Sequence, residues 1–249
     1  VGLVNIQYVI YNDEVYVIEV NPRSSRTIPY ISKVTGVPMV EIATRMMFGE
    51  KLRDQGYGIG LYPDAEYVAV KVPVFSFEKL HDVDTLLGPE MKSTGEVLGI
   101  ARTFDEALYK GLLAAGYKMK HEGGVLVTVR DTDKQEVVPI VEKYEKLGFK
   151  IYATAGTALT LNQNMIAANT IRKIEEEEPN IMTLFDENKI DYIITTSKKG
   201  RKPQRHSVQM RRRAVERSIV TMTALDTANA LALSLETASD KMTMVDIAT

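Results

Sequence analysis

Beyond residue 124 the sequence alternates between short β-rich runs and longer amphipathic ones, and no other feature restricts the fold so tightly. The pattern predicts strands at 125–130, 150–153, 191–196 and 218–222. It predicts helices at 133–147 (stopped by Gly148), near 157–173 and 180–188, and at 207–216 and 225–236. Strands alternating with helices build a parallel sheet covered on both faces. In such a sheet ligands sit outside the carboxyl ends of the strands. Residues at those ends are therefore the first candidates for function.

The preceding part reads differently. Val4–Tyr11 and Val15–Asn21 are β-rich runs joined at Asn12, Asp13 and Glu14, which predicts a hairpin. A loop with Pro22, Arg23, Ser24, Ser25 and Arg26 follows. A helix is expected from about Pro38 to Phe48, with Met39, Ile42, Ala43, Met46 and Met47 on one stripe and Gly49 as its stop. Tyr67–Pro73 reads as a strand. Thr103 and Glu106 form a capping box that opens a helix ending near Gly116. The polar, glycine-bearing stretch Gly116–Gly124 is the expected boundary, giving two α/β units at 1–118 and 119–249. Val1 stands where an initiator Met would, and the strand pattern begins by residue 4, so the chain reads as a piece of a longer one.

Composition removes several functions. Without cysteine there is no disulfide, thiolate catalysis or zinc–thiolate site. His81, His121 and His206 are too scattered for a His-rich metal site. A net charge of −2 argues against a nucleic-acid or anionic-membrane binder, and no apolar run reaches spanning length, so a cytoplasmic protein is expected. The segment Lys198–Arg213 holds eight Lys and Arg and no acidic residue. It carries no interleaved aromatics, so it reads as an anion-attracting loop followed by the exposed face of a helix, not as a nucleic-acid patch. Glu175–Glu178 reads as a solvated acidic face.

Two clusters carry candidate chemistry. Glu19 and Asn21 are two apart on a strand and share a face, and a turn centred on Asp13 sets Gln7 opposite Glu19. Three oxygen-bearing side chains on one patch suit a hard divalent cation that keeps phosphates as its other ligands. Arg23 and Arg26 follow directly, with guanidinium groups shaped for phosphate oxygens. The same spacing also fits ordinary polar residues on an exposed sheet face. The second cluster lies at three expected strand ends, in Arg130–Lys134, Ala153–Thr157 and Thr195–Ser197. Amides at a helix start, one Lys, Gly156 and several hydroxyls would make an anion cradle. Each alone reads more readily as a helix cap.

The run from Glu19 through Asn21, Arg23 and Arg26 to Thr27, with Gln7 twelve positions before Glu19, resembles the end of an ATP-grasp domain. Ser32, Lys33, Gly36, Val37 and Pro38, then the run Gly88–Val97, resemble carbamoyl-phosphate synthase large subunits. The residues after 118 resemble the methylglyoxal-synthase-like domain that ends them. This resemblance implies the end of a second ATP-grasp α+β domain followed by a Rossmann-like parallel-sheet domain. It implies Gln7, Glu19 and Asn21 as ligands of Mg²⁺ or Mn²⁺ bridging the phosphates of ATP, the substrate. It implies Arg23 and Arg26 as catalytic phosphate contacts where carbamate is phosphorylated. Lys134, Thr154, Thr157 and Lys173 would contact a UMP- or IMP-type effector, with Thr195, Thr196 and Ser197 closing the pocket. The implied partners are the rest of the large subunit and a glutaminase small subunit, in pyrimidine or arginine biosynthesis. With the adenine-clasping part of the ATP-grasp unit absent, the fragment is expected to be inactive alone.

There are departures from the family pattern. Thr195 stands where the family often has Asn, and His206 where some relatives have a carboxylate. Val72 replaces a Glu found in ornithine-activated relatives, which argues against ornithine binding. Lys198–Lys202 lacks the carboxylate that a methylglyoxal synthase uses for proton abstraction, so the cradle reads as kept and that chemistry as lost. Another ATP-grasp ligase fused to a nucleotide sensor, or a methylglyoxal-synthase-like enzyme, is the alternative reading.

Overall fold

The computed structural model describes residues 1–58, 60–61, 63–77, 87–88, 90–196, 205–237 and 242–245. Nine strands and eight α-helices are found among them. The chain opens with a hairpin of β1 (Asn5–Tyr11) and β2 (Glu14–Asn21). Asn12 and Asp13 both take positive φ, 50° and 61°, which is what a two-residue turn matched to strand twist demands. Asn and Asp tolerate that region because their side chains bond locally. Side chains on both faces of this hairpin are exposed, among them Tyr8, Ile10, Val15 and Ile18.

Next come α1 (Thr27–Thr35) and α2 (Met39–Met47). Of the expected apolar stripe on α2, Ile42 and Ala43 are buried while Met47 is exposed. Then β3 (Val68–Val74) pairs antiparallel with β4 (Gly95–Ala101), and α3 (Phe104–Ala114) lies across them. The packing at this crossing is close: a Cβ on Gly99 would stand 1.9 Å from the Ala107 carbonyl oxygen. Half of the predicted capping box forms. Thr103 accepts from the Glu106 amide at 3.4 Å, but the Glu106 carboxylate turns instead to Lys110 and Thr243. Burial pushes that carboxyl up, yet these bonds outweigh it and hold it below its usual range.

The later residues form a five-stranded parallel sheet in the order β7-β6-β5-β8-β9. Its strands are β5 (Gly124–Thr128), β6 (Lys150–Thr154), β7 (Ala168–Ile171), β8 (Tyr192–Thr195) and β9 (Val220–Met222). Side chains alternate across it. Val125, Val127, Ile151, Tyr192 and Ile194 face one core, packed against α4 (Lys134–Lys146), α5 (Ala155–Gln163) and α8 (Leu225–Glu236). Leu126 and Ile193 face a second core under α6 (Ile181–Asp186) and α7 (Arg205–Glu216).

The stretch between α3 and β5 is anchored to this unit. Tyr117 and Met119 pack on the first core. The Tyr192 hydroxyl donates to the Lys120 carbonyl and accepts from its amide, both at 2.8 Å. Tyr109 of α3 enters the same core and meets His121 at 3.0 Å. Val72 is buried under α3, against Gly111.

Three expectations need correction. The helix read near 157–173 ends at Gln163, and Ala168–Ile171 is strand β7. Its burial shows why the pattern hid it: as an edge strand only Ile171 is buried. Strand β4 was not expected either, because Gly95 and Gly99 dilute its β propensity. Helix α1 lies where no element was read.

Candidate functional site

Strands β5 and β8 are neighbours at the centre of the sheet, and from them the chain winds outward in opposite directions. That switch point leaves a crevice beyond the strand ends. A cavity of about 1070 Å³ occupies it, lined by Thr128–Asp131, Lys134, Thr154–Thr157, Lys173, Thr195 and Thr196 among others. The three expected strand ends therefore meet at one place.

Each cradle residue has a distinct environment. The Lys134 ammonium pairs with Asp131 at 2.6 Å and lies over Gly156, where an added Cβ would come within 2.6 Å of its Nζ. Glycine at 156 thus leaves the space the ammonium occupies. Thr157, in the first turn of α5, is 1% exposed, and its hydroxyl has no partner among the described residues. Thr154 is buried, its hydroxyl 3.4 Å from that of Thr128. The Lys173 amide donates to the Glu176 carboxylate at 2.7 Å.

Thr196 has a different task. Its hydroxyl accepts from the Arg130 amide at 3.0 Å and also bonds the Asp133 carboxylate, fastening the end of β8 to the turn before α4. Burial pushes the Asp133 carboxyl up. Hydrogen bonds from Arg130, Thr196 and Thr132 outweigh that and hold it below its usual range. Ser197 lies outside the described residues, as do Lys198–Lys202.

The hairpin brings together the other cluster. Gln7 stands opposite Glu19 in the ladder, just before a bulge, and Asn5 opposite Asn21. The Asn21 side-chain amide donates to Glu19 at 2.9 Å, which aligns the two on one face. Among the described residues no group of three or more His, Cys, Asp or Glu can hold a metal alone. One carboxylate with two amide oxygens fits a hard cation only if other oxygens, such as phosphates, complete its shell. Arg26 reaches across to Ser93 (3.4 Å) and Met91 (2.6 Å), while Arg23 bonds the Ser24 carbonyl at 3.0 Å.

Comparison with known proteins bears on both clusters. Residues 1–55 match the family described as "Carbamoyl-phosphate synthase L chain, ATP binding domain", and residues 136–223 match "MGS-like domain". The "Carbamoyl phosphate synthase large chain" of Lachnoclostridium phytofermentans is 50% identical across the whole of this chain. That of Agathobacter rectalis is 52% identical, again across the whole chain. Along its whole length the chain is therefore similar to carbamoyl phosphate synthase large chains. It spans 23% of the length of each of these two relatives.

Two parts of the cavity wall were not read from the sequence. Phe75 and Phe77 stack with ring centroids 5.2 Å apart and line the cavity beside the cradle. They come from the loop after β3, so the cavity is not built wholly from residues beyond 118. No local signal marks them, because only tertiary folding brings them there. Arg211 also lines the cavity, although its segment was expected to be an exposed helix face. Among the described residues no helix is long and apolar enough to cross a membrane.

Proposed function

We propose that the chain is the C-terminal region of a carbamoyl-phosphate synthase large subunit, with units 1–118 and 119–249. In this reading the first unit belongs to the ATP-grasp site that phosphorylates carbamate, and the second senses a UMP- or IMP-type nucleotide. The intact enzyme would take ammonia from a glutaminase subunit and supply pyrimidine or arginine synthesis. The observation that carries the sensor reading is the cradle at the switch point, where the Lys134 ammonium and the buried, unpartnered Thr157 hydroxyl line one cavity. A phosphate group would receive charge-assisted bonds from Lys134 and Lys173, a hydroxyl bond from Thr157, and the amides opening α5. Thr154 and Thr195 shape the walls, and Thr196 holds the β8 end in place. Ser197 would close the pocket.

In the first unit Gln7, Glu19 and Asn21 would hold Mg²⁺ or Mn²⁺, whose charge neutralises ATP phosphates. Glu19 supplies the anionic oxygen and Asn21 orients it. Arg23 and Arg26 would bind the oxygens of the acceptor, with Arg26 already steadied by Ser93. Among the described residues no second layer covers either face of the hairpin that carries these ligands. ATP would therefore lack its other wall, and the fragment alone should show no ATP hydrolysis.

Calorimetry of the whole chain with UMP and IMP tests the sensor reading. Lys134→Ala should weaken either nucleotide about 10–100-fold. If neither nucleotide gives heat or thermal stabilisation at millimolar concentration, the cradle is only a set of helix caps.

A further inference from the structure

Three consecutive arginines on α7, Arg211, Arg212 and Arg213, meet three different environments. Arg212 pairs with Glu216 at 3.4 Å, and Arg213 pairs with Asp186 at 2.9 Å and with Glu216. Both are surface ion pairs, as a basic helix face predicts. Arg211 points elsewhere. It lines the cavity with Ser207 and Val215, one turn to either side of it on the same helix. Its Nε and Nη2 atoms are buried, and among the described residues neither has a hydrogen-bond partner. The segment from Lys198 to Met210 carries no carboxylate to serve it.

Two buried guanidinium N–H groups left without acceptors are costly, so proteins seldom keep them unless something else completes them. The guanidinium fork of donors is shaped for two oxygens in a plane. The neighbouring Met210 and Ala214 are buried in the second core, which fixes the helix face and with it the inward aim of Arg211. The phosphate cradle lies on the ends of β5 and β6 and the start of α5. Arg211 reaches the same cavity from α7, which packs beside β9.

We propose that Arg211 is a specificity-determining residue of the cavity, binding an oxygen acceptor on the part of the ligand remote from its phosphate. The ligand class is a phosphorylated compound with a second hydrogen-bonding end, of which a nucleotide with carbonyl oxygens on its base is the simplest. This inference rests on the cradle reading above. It adds that phosphate alone fills only part of the site, and that the basic run on α7 discriminates among phosphorylated ligands. Sequence could not reveal this, because Arg211 looks identical to its two neighbours until the helix is placed.

The test uses the whole chain and four probes in calorimetry: inorganic phosphate, ribose 5-phosphate, UMP and IMP. Arg211→Met keeps the apolar stem and removes the donors. It should weaken UMP and IMP about 10–100-fold, the range for loss of a charged hydrogen-bond donor, and leave both smaller probes within about twofold. Arg211→Lys, which keeps charge but loses the fork, should fall between wild type and Arg211→Met. The unliganded Arg211→Met protein should melt no lower than wild type, because the two buried donors removed have no partner to lose among the described residues. Lys134→Ala should weaken all four probes together. Unchanged nucleotide affinity in Arg211→Met refutes the proposal while the Lys134→Ala result leaves the cradle standing. Equal losses for all probes in Arg211→Met also refute it, by making Arg211 a phosphate ligand. If Lys134→Ala changes nothing, the cradle reading itself fails and takes this proposal with it.

Discussion

Thr157→Val separates a ligand-binding hydroxyl from a structural one, because the two roles predict opposite signs. Thr157 is 1% exposed, and its Oγ1 finds no acceptor or donor among the described residues. A buried polar group without a partner costs about 1–3 kcal/mol, and valine fills nearly the same volume without it. Helix propensities of the two residues are close, so α5 is not otherwise disturbed. The unliganded variant should therefore gain about 1 kcal/mol, the cautious end of that range. For a chain of this size that raises the melting temperature by about 2–4 °C. A phosphate ligand would lose one hydrogen bond to a charged group, about 1.5–3 kcal/mol, or roughly 10–100-fold in affinity. Differential scanning calorimetry and a UMP titration on the same preparation read both signs. A melting point several degrees lower with unchanged UMP affinity would show that the hydroxyl is a structural cap, and the reasoning would fail.

Other perturbations follow from the same structure. Gly99→Ala places a Cβ 1.9 Å from the Ala107 carbonyl and 2.5 Å from the Gly111 amide nitrogen, both backbone atoms of α3. Urea unfolding should show a loss at or above the upper end of the usual ~1–3 kcal/mol for overpacking, since a helix backbone yields less than a side chain. Burial pushes the Tyr192 hydroxyl up to about 12, with smaller upward contributions from Asp191 and Tyr109 opposed by its bond to Lys120. Its folded value exceeds the unfolded one of about 10, so this stability is whole below pH ~10 and drains away between there and pH ~12. Tyr192→Phe should flatten that alkaline fall in a pH series of thermal melts, and an unchanged slope would refute the assignment. In the full-length enzyme Glu19→Gln should lower carbamoyl-phosphate synthesis about 10–100-fold, the usual cost of disturbing a metal shell. It should spare most bicarbonate-dependent ATP hydrolysis, and equal loss of both activities would remove Glu19 from the proposed role.

How much of this was legible varies with the physics behind each element. The central strands of the sheet are buried on both faces, so Val125–Val127 and Tyr192–Ile194 stand out as continuous apolar runs. The hairpin and its turn were legible, but a two-residue turn at Asn12 and Asp13 alone would set Gln7 opposite Ile18, and it is the bulge beside Tyr8 that brings Gln7 opposite Glu19. Edge strand β7 was not, because it buries only Ile171 and follows a helix with no proline or glycine between them. Residues that line the cavity by virtue of tertiary placement were also hidden. Phe75, Phe77 and Arg211 carry ordinary local patterns, and nothing in their neighbours says which way they face.

The cavity has contributors from both ends of the fold, which bears on how the proposed sensor would act. Its proposed phosphate end is built from β5, β6, α4 and α5, while Phe75 and Phe77 come from the loop after β3, and α3, which packs on β3 and β4, sends Tyr109 into the first core of the five-stranded sheet. A ligand can shift an equilibrium only by the difference in its contacts between two states. A ligand touching both the cradle and the phenylalanine pair has contacts that change whenever β3 and β4 move relative to the sheet. A ligand confined to the cradle has none. Coupling should therefore depend on the end of the ligand away from its phosphate: inorganic phosphate would occupy the site without regulating, and a whole nucleotide would regulate.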